Sequence, residues 1–337
     1  MRLGGVGELR DMSEPVLRHD LAFEDLYRRD GLVRLDAAFV RHLGEVDVEL
    51  HNRLMAARRE PAALDRATES DLLVALAPHL EDFIGALFGI GAELSALQAR
   101  HDALAPLYAV KRLFVQRRAV KGVPPEAAAA LDGAALARDL EAAIGEPLSE
   151  ESYARHVARW MAAEAEHKPA LDLAQRYAAW AVLAPAGRAK HHAGVLFKVP
   201  HRLEMTQLVP VETVVQYGVS MLNLPPAQWR RREGFKLTDP GTDLKGALDQ
   251  ANYCIWCHHQ GKDSCSRGLR DKKTDSFQKS AFGVTLAGCP LEEKISEMNE
   301  VKARGNSIGA LGIVIVDNPM VAATGHRICN DCMKACF

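Results

Sequence analysis

The chain has 337 residues, enough for more than one domain, and its 48% hydrophobic and 26% charged residues are ordinary for a folded globular protein. A formal charge of −2 leaves no basic footprint for nucleic acid. The longest strongly apolar stretch, Gly309 to Val316, falls far short of the roughly 20 residues that span a bilayer. Met1 to Gly7 hold no signal h-region, so the protein is expected to be cytoplasmic.

In chain order, residues 14 to 185 read as helices. From Ser70, Leu72, Leu76, Leu80, Phe83 and Leu87 recur at steps of three and four, which places them on one helical face. Ser70 suits an N-cap, and Pro78 is expected to kink or divide this helix. Alanine, the best helix former, is abundant from Ala127 to Ala184, with Pro124-Pro125 and Gly145-Glu146-Pro147 separating the helices.

From Gly194 the character changes. Val195-Leu196-Phe197, Leu208-Val209-Pro210-Val211 and Val214-Val215 suit short strands or extended connectors. Pro225-Pro226 and Thr238-Asp239-Pro240-Gly241 mark turns. These features divide the chain into a mostly helical domain at 1–225, a linker at 226–243 and a third segment at 244–337. In that segment Leu244, Leu248 and Ala251 share a helical face that leads into Cys254.

All seven cysteines, Cys254, Cys257, Cys265, Cys289, Cys329, Cys332 and Cys336, lie in the last quarter, and the 253 residues before them contain none. Cytosolic reductants keep ordinary disulfides open, so this density points to metal–thiolate bonding. Cys254-Ile-Trp-Cys257 lets two sulfurs turn toward one metal centre while the intervening amides bond to sulfur. Pro290 after Cys289 suits the first turn of a helix expected over Leu291 to Ala303. Gly305 ends that helix, Asn306 caps a second one running to about Val316, and Asp317-Asn318-Pro319 turns the chain. Two ligand-bearing loops thus flank a helical hairpin.

These motifs resemble the N-terminal iron–sulfur domain of the glutamate synthase small subunit and of dihydropyrimidine dehydrogenase. The likeness rests on Ala251-Asn-Tyr-Cys254-Ile-Trp-Cys257, Cys265, Gly288-Cys289-Pro290-Leu291, Asp317-Asn318-Pro319 and Thr324-Gly325-His-Arg-Ile-Cys329. It covers about residues 244 to 337. The fold it implies is mainly α: a helical N-terminal domain followed by a helical di-cluster, ferredoxin-like iron–sulfur domain. It implies two 4Fe–4S clusters, with Cys254, Cys257, Cys265 and Cys336 on the first. Cys289, Cys329 and Cys332 would hold the second, whose fourth ligand lies elsewhere; in the dehydrogenase that ligand is a glutamine beyond the last cysteine.

The resemblance further implies an oxidoreductase in which the clusters relay electrons between a flavin, reduced by NADPH or NADH, and a distant acceptor or donor. The FAD and NAD(P) sites are expected on a flavoprotein domain downstream of Phe337 or on a partner subunit. The chain, which stops one residue after Cys336, is accordingly expected to be the front part of a longer polypeptide or to be completed by a partner.

This sequence departs from the family in a longer Cys257–Cys265 loop and in an insertion from Ser266 to Gly288. Its closing Cys329–Cys332–Cys336 run is tighter and also suits a single cluster, as in bacterial ferredoxins. Two other readings stay open. One is a zinc-stabilised interaction protein without redox role, using four thiolates or three with His258 or His259; the other is a regulatory cluster sensor.

Elsewhere the bland readings prevail. His258 and His259 read as polar loop residues beside a cluster. Lys111, Arg112, Arg117, Arg118 and Lys121 read as a solvated helix face, with a docking patch for an acidic partner as the alternative. Glu164-Ala-Glu-His167 matches half of a di-iron ligand pattern and has no second copy. His191, His192 and His201 read as ordinary surface or core histidines. Gly89-Ile-Gly91 sits within a helical pattern and is no dinucleotide fingerprint, and neither a P-loop nor a nucleophile elbow is present.

Overall fold

The computed structural model describes residues 15–200, 208–209, 211–229, 233–235, 241–325 and 328–336. Met1 to Gly7, His201, Pro210 and Thr238–Pro240, all singled out above, lie outside these residues. The described chain is mainly helical, with one small two-stranded antiparallel sheet. Its principal helices are α1 (Arg29–Val46), α2 (Val48–Arg59), α3 (Arg66–Phe88), α4 (Gly91–Val110), α5 (Gly133–Ile144), α6 (Glu150–Ala162), α7 (Lys168–Leu183), α8 (Leu244–Tyr253), α9 (Ile295–Ala303) and α10 (Ser307–Ile315). A π-helical stretch, Lys111–Ala119, continues α4.

By contacts the chain separates into two compact units. One comprises residues 1–101, 250–280 and 284–337, and the other 102–249 with 281–283. The composition change at 226–243 does not mark this grouping: the cysteine segment shares a unit with the N-terminal helices. The reason lies in α3, which is apolar on more than one side. Phe83 and Leu87 join Leu17, Leu21 and Ala38; Leu72 joins Leu43, Leu50 and Leu54; Val74 and Ala77 join Val301, Ala310 and Ile313 of α9 and α10. A helix buried on several faces must be surrounded, and the α9–α10 hairpin supplies one of its walls.

Three expectations for α3 need correction. Asp65, not Ser70, is the N-cap, its carboxylate accepting the Thr68 amide at 2.9 Å. Ser70 is buried inside the helix. Pro78 sits within an unbroken α3, and Gly89 at φ 68 ends it in a left-handed cap. Gly89-Ile90-Gly91 is thus the junction of two helices rather than part of one.

The hairpin is tight because Gly309 faces α3. A Cβ there would lie 2.5 Å from the Ala77 carbonyl oxygen. The first amides of α10 need acceptors. Asn306 holds the cap position without a side-chain bond. Instead the Glu81 carboxylate of α3 accepts from Ile308 at 2.7 Å and Gly309 at 3.0 Å. Helix α9 begins at Ile295 rather than Leu291: Glu292 has φ 51, which closes a turn over Cys289-Pro290-Leu291 before helical geometry starts.

In the second unit α5, α6 and α7 enclose one core with the π-helical stretch, centred on Phe114, Leu140, Tyr153, Leu171 and Tyr177. Val195-Leu196-Phe197 is not a strand. It is a turn whose Leu196 and Phe197 enter this core. The Glu150 carboxylate anchors it by accepting the Val195 and Leu196 amides at 3.0 and 2.8 Å. The two strands, Glu212–Gln216 and Val219–Asn223, form a hairpin. Its turn, Tyr217-Gly218, has both residues at positive φ, which matches strand twist.

Candidate metal centre

Helix α8, capped by Asp243 through the Gly246 amide at 2.8 Å, delivers Cys254. Trp256 then takes a left-handed φ of 51, unusual for a bulky residue, which turns the chain between the paired cysteines. The Trp256 amide donates to Cys254 Sγ at 3.4 Å, and the Ser296 hydroxyl lies 3.9 Å from the same sulfur. Cys257 opens a short 3-10 turn that Gly261 ends at φ 65. Cys265 sits in a four-residue helix, buried beside Asp263.

The insertion between Cys265 and Cys289 folds outward and returns. Isolated bridges pair Arg270 with Phe277 and Lys279 with Thr285. At its neck the backbone closes on itself, because a Cβ on Gly288 would stand 2.4 Å from the Gly268 nitrogen. As a result the Cys289 amide donates to the Cys265 carbonyl at 2.8 Å. The extra residues cost the two ligand loops nothing in proximity.

The thiols fall into two electrostatic neighbourhoods. Burial pushes the Cys265 thiol far above its ordinary range, and Asp263, Cys257, Cys254 and Cys336 add to the rise. Burial pushes Cys332 up to about 11, with Cys289, Cys329 and Glu293 adding to it. Cys254 and Cys289 are also raised, first by burial. The Leu291 and Glu293 amides donate toward Cys289 sulfur and oppose that rise. Cys265 thus senses the charges of Cys254, Cys257 and Cys336, and Cys332 those of Cys289 and Cys329.

Two chemical consequences follow. A catalytic or redox-sensing thiol has its pKa lowered by nearby cations, whereas Cys254, Cys265, Cys289 and Cys332 are raised. As metal ligands they would release protons on binding. Among the described residues, the one set of three or more His, Cys or carboxylate ligand atoms within 4.8 Å of one another is that of His258, His259 and Glu300. Soft thiolate donors and amide-to-sulfur hydrogen bonds fit an iron–sulfur cluster.

The histidines beside Cys257 already have a partner. Buried His258 bridges the Ser296 hydroxyl at 2.6 Å and Glu300 Oε2 at 2.9 Å, and His259 reaches the same oxygen at 2.9 Å. Arg304 holds the other Glu300 oxygen. One carboxylate oxygen serving two ring nitrogens is a hydrogen-bonded support for the Cys254 loop, through Ser296.

Sequence reasoning missed the acids of α9 and its approach. Glu293, Glu297 and Glu300 recur at four and three residues and are 3%, 0% and 3% exposed. That helical spacing, read as a buried rather than a solvated stripe, was the available signal. Glu297 accepts the Ser70 hydroxyl at 2.5 Å. It also lines a cavity of about 70 Å³ with Arg66, Asp263 and Lys294. Asp263 has its carboxyl raised to about 6, by burial and then by Glu297, with Arg66 opposing.

The remaining candidates are structural. Lys111 is buried against Asp249 at 2.6 Å, so the basic stretch is not wholly solvated. Arg118 pairs with Glu164 at 2.8 Å. Glu164 and His167 lie in the turn between α6 and α7. His191 meets the Tyr177 hydroxyl at 3.1 Å, and His192 the Ala189 carbonyl at 2.9 Å.

A mainly helical chain with its thiols gathered in one unit is the class that fold and site define. Residues 17–89 match a family model described as the RP005 N-terminal alpha-helical domain. A protein of Rickettsia prowazekii (strain Madrid E), described as uncharacterized protein RP005, is 31% identical over 288 residues, 81% of this chain and 94% of the relative. The chain belongs to the RP005 family. No solved structure matches it. Among the described residues no helix is long and apolar enough to cross a membrane.

Proposed function

We propose that this protein is an iron–sulfur electron-transfer module. Cys254, Cys257, Cys265 and Cys336 hold one 4Fe–4S cluster, and Cys289, Cys329 and Cys332 hold most of a second. What supports this reading is the gathering of seven thiols in one unit, where Cys265 senses the charges of Cys254, Cys257 and Cys336 and Cys332 senses those of Cys289 and Cys329, together with amide donors to sulfur. The ligand assignment itself is the one implied by the resemblance to the glutamate synthase small subunit. The clusters supply reversible one-electron transfer when bound.

The chain's own residues do the rest. Burial lowers the local dielectric around the sulfurs, and amides and the Ser296 hydroxyl bond to them; both tune a cluster's potential. In this reading the chain works in an NAD(P)H-dependent oxidoreductase of the cytoplasm. FAD and the nicotinamide site belong to downstream sequence or to a partner flavoprotein, and a further protein accepts or supplies the electrons.

The test is reductive titration of anaerobically purified protein with dithionite, followed by visible absorption and EPR. Two clusters take up about two electrons per chain, bleach the visible band and give paramagnetic reduced centres. A colourless protein with stoichiometric zinc and no electron uptake contradicts the proposal.

A further inference from the structure

We propose that the Glu293 carboxylate is the fourth ligand of the second metal centre, beside Cys289, Cys329 and Cys332. The inference rests on the iron–sulfur reading above and supplies the donor that seven cysteines leave missing. Glu293 stands four residues after Cys289, in the segment that leads into α9. Its side chain is almost wholly buried, at 3% relative exposure. One carboxylate oxygen meets Cys289 Sγ at 3.5 Å. The other is buried with no hydrogen-bond partner.

A buried carboxylate whose one oxygen has only a weak thiol donor and whose other has none is costly, and proteins normally pair such a group or give it to a metal. The other acids on the same face show how this chain treats them. Glu300 is compensated by Arg304, His258 and His259. Glu297 accepts the Ser70 hydroxyl with one oxygen; its other oxygen is likewise without a hydrogen-bond partner, and the residue borders a cavity of about 70 Å³ lined by the cations Arg66 and Lys294. Lys294, next to Glu293 in sequence, gives its ammonium to Glu69 at 2.6 Å instead. Among the described residues no ion pair reaches Glu293. Glu293 lies in direct contact with Cys289, one of the thiols assigned to the second centre. A hard oxygen donor on one corner of an otherwise thiolate-bound cluster makes that iron the most exchangeable of the four.

The experiment uses the full chain purified without oxygen, as wild type, Glu293→Ala, Glu293→Cys and the control Glu297→Gln. Iron per chain, EPR of the oxidised protein and the midpoint potentials are measured. Glu293→Ala is expected to lose about one iron per chain and to show the isotropic signal of an oxidised three-iron cluster, absent from wild type. Glu293→Cys should restore the iron and shift one midpoint potential, leaving the other unchanged. Glu297→Gln should behave as wild type. Full iron without a three-iron signal in Glu293→Ala, or unchanged potentials in Glu293→Cys, overturns the assignment and leaves the cluster reading standing. A wild-type chain that contains no iron or labile sulfide overturns both.

Discussion

The Cys289 amide donates to the Cys265 carbonyl at 2.8 Å, although 23 residues separate the two in sequence. This bond ties the Cys265 loop to the Cys289 loop. It exists because Gly268 and Gly288, at φ 84 and 77, close the base of the insertion. The ligand geometry is thereby insulated from the loop's length.

That closure predicts the behaviour of glycine variants. In Gly288→Ala the new Cβ meets the Gly268 nitrogen at 2.4 Å, in a left-handed backbone region that disfavours a side chain. We expect a loss of about 1–3 kcal/mol in urea unfolding, together with reduced iron content. Gly283→Ala, at the open tip with φ 76 and no atom within 4 Å, should cost less and leave iron content unchanged. Equal effects at both positions would show that the neck does not position the cysteines.

Ser70 and Glu297 form a buried contact between α3 and α9. Ser70→Ala removes the hydroxyl and leaves Glu297, 0% exposed, without its donor. Stability should fall by about 1–3 kcal/mol, and much of the loss should vanish in Ser70→Ala/Glu297→Met, where no carboxylate is stranded. Denaturant unfolding of the two single variants and the double variant measures this coupling, and strict additivity contradicts it.

Part of this architecture was legible in the sequence and part was not. The helix entering Cys254, the α9–α10 hairpin and its Asn318-Pro319 turn follow from periodicity and breakers, because both signals are local. Ser70 misled because an N-cap and a buried hydroxyl bonded across helices look alike until the partner, Glu297, is placed. Pro78 does not divide α3, because a helix held on several sides tolerates one missing amide hydrogen bond. Val195–Phe197 has strand-like residues, yet its backbone donors go to Glu150, 45 and 46 residues away in sequence. The proposed assignment of thiols to two clusters comes from a resemblance. The burial of Glu293 was not legible, since a charge run of Glu292-Glu293-Lys294 reads as solvent-exposed.

His191 makes the second unit sensitive to acid. Its imidazole packs on Phe197 at 4.5 Å and meets the Tyr177 hydroxyl, with Trp180 and Lys190 nearby. Burial, reinforced by the Lys190 charge and opposed by Glu150, holds its pKa below 6.5. The unfolded chain therefore binds the proton first. Stability contributed by the neutral ring is intact above about 6.5 and declines as pH falls from there through the lowered folded value. Urea midpoints of wild type and His191→Phe from pH 8 to pH 5 should diverge on the acid side, the variant having the flatter profile; parallel profiles contradict this.

The most direct measurement is elemental analysis of the full chain purified without oxygen, for iron, acid-labile sulfide and zinc. The account predicts iron and sulfide in equal amounts, up to about eight of each per chain for two four-iron clusters, with zinc absent. Stoichiometric zinc with neither iron nor sulfide would contradict it.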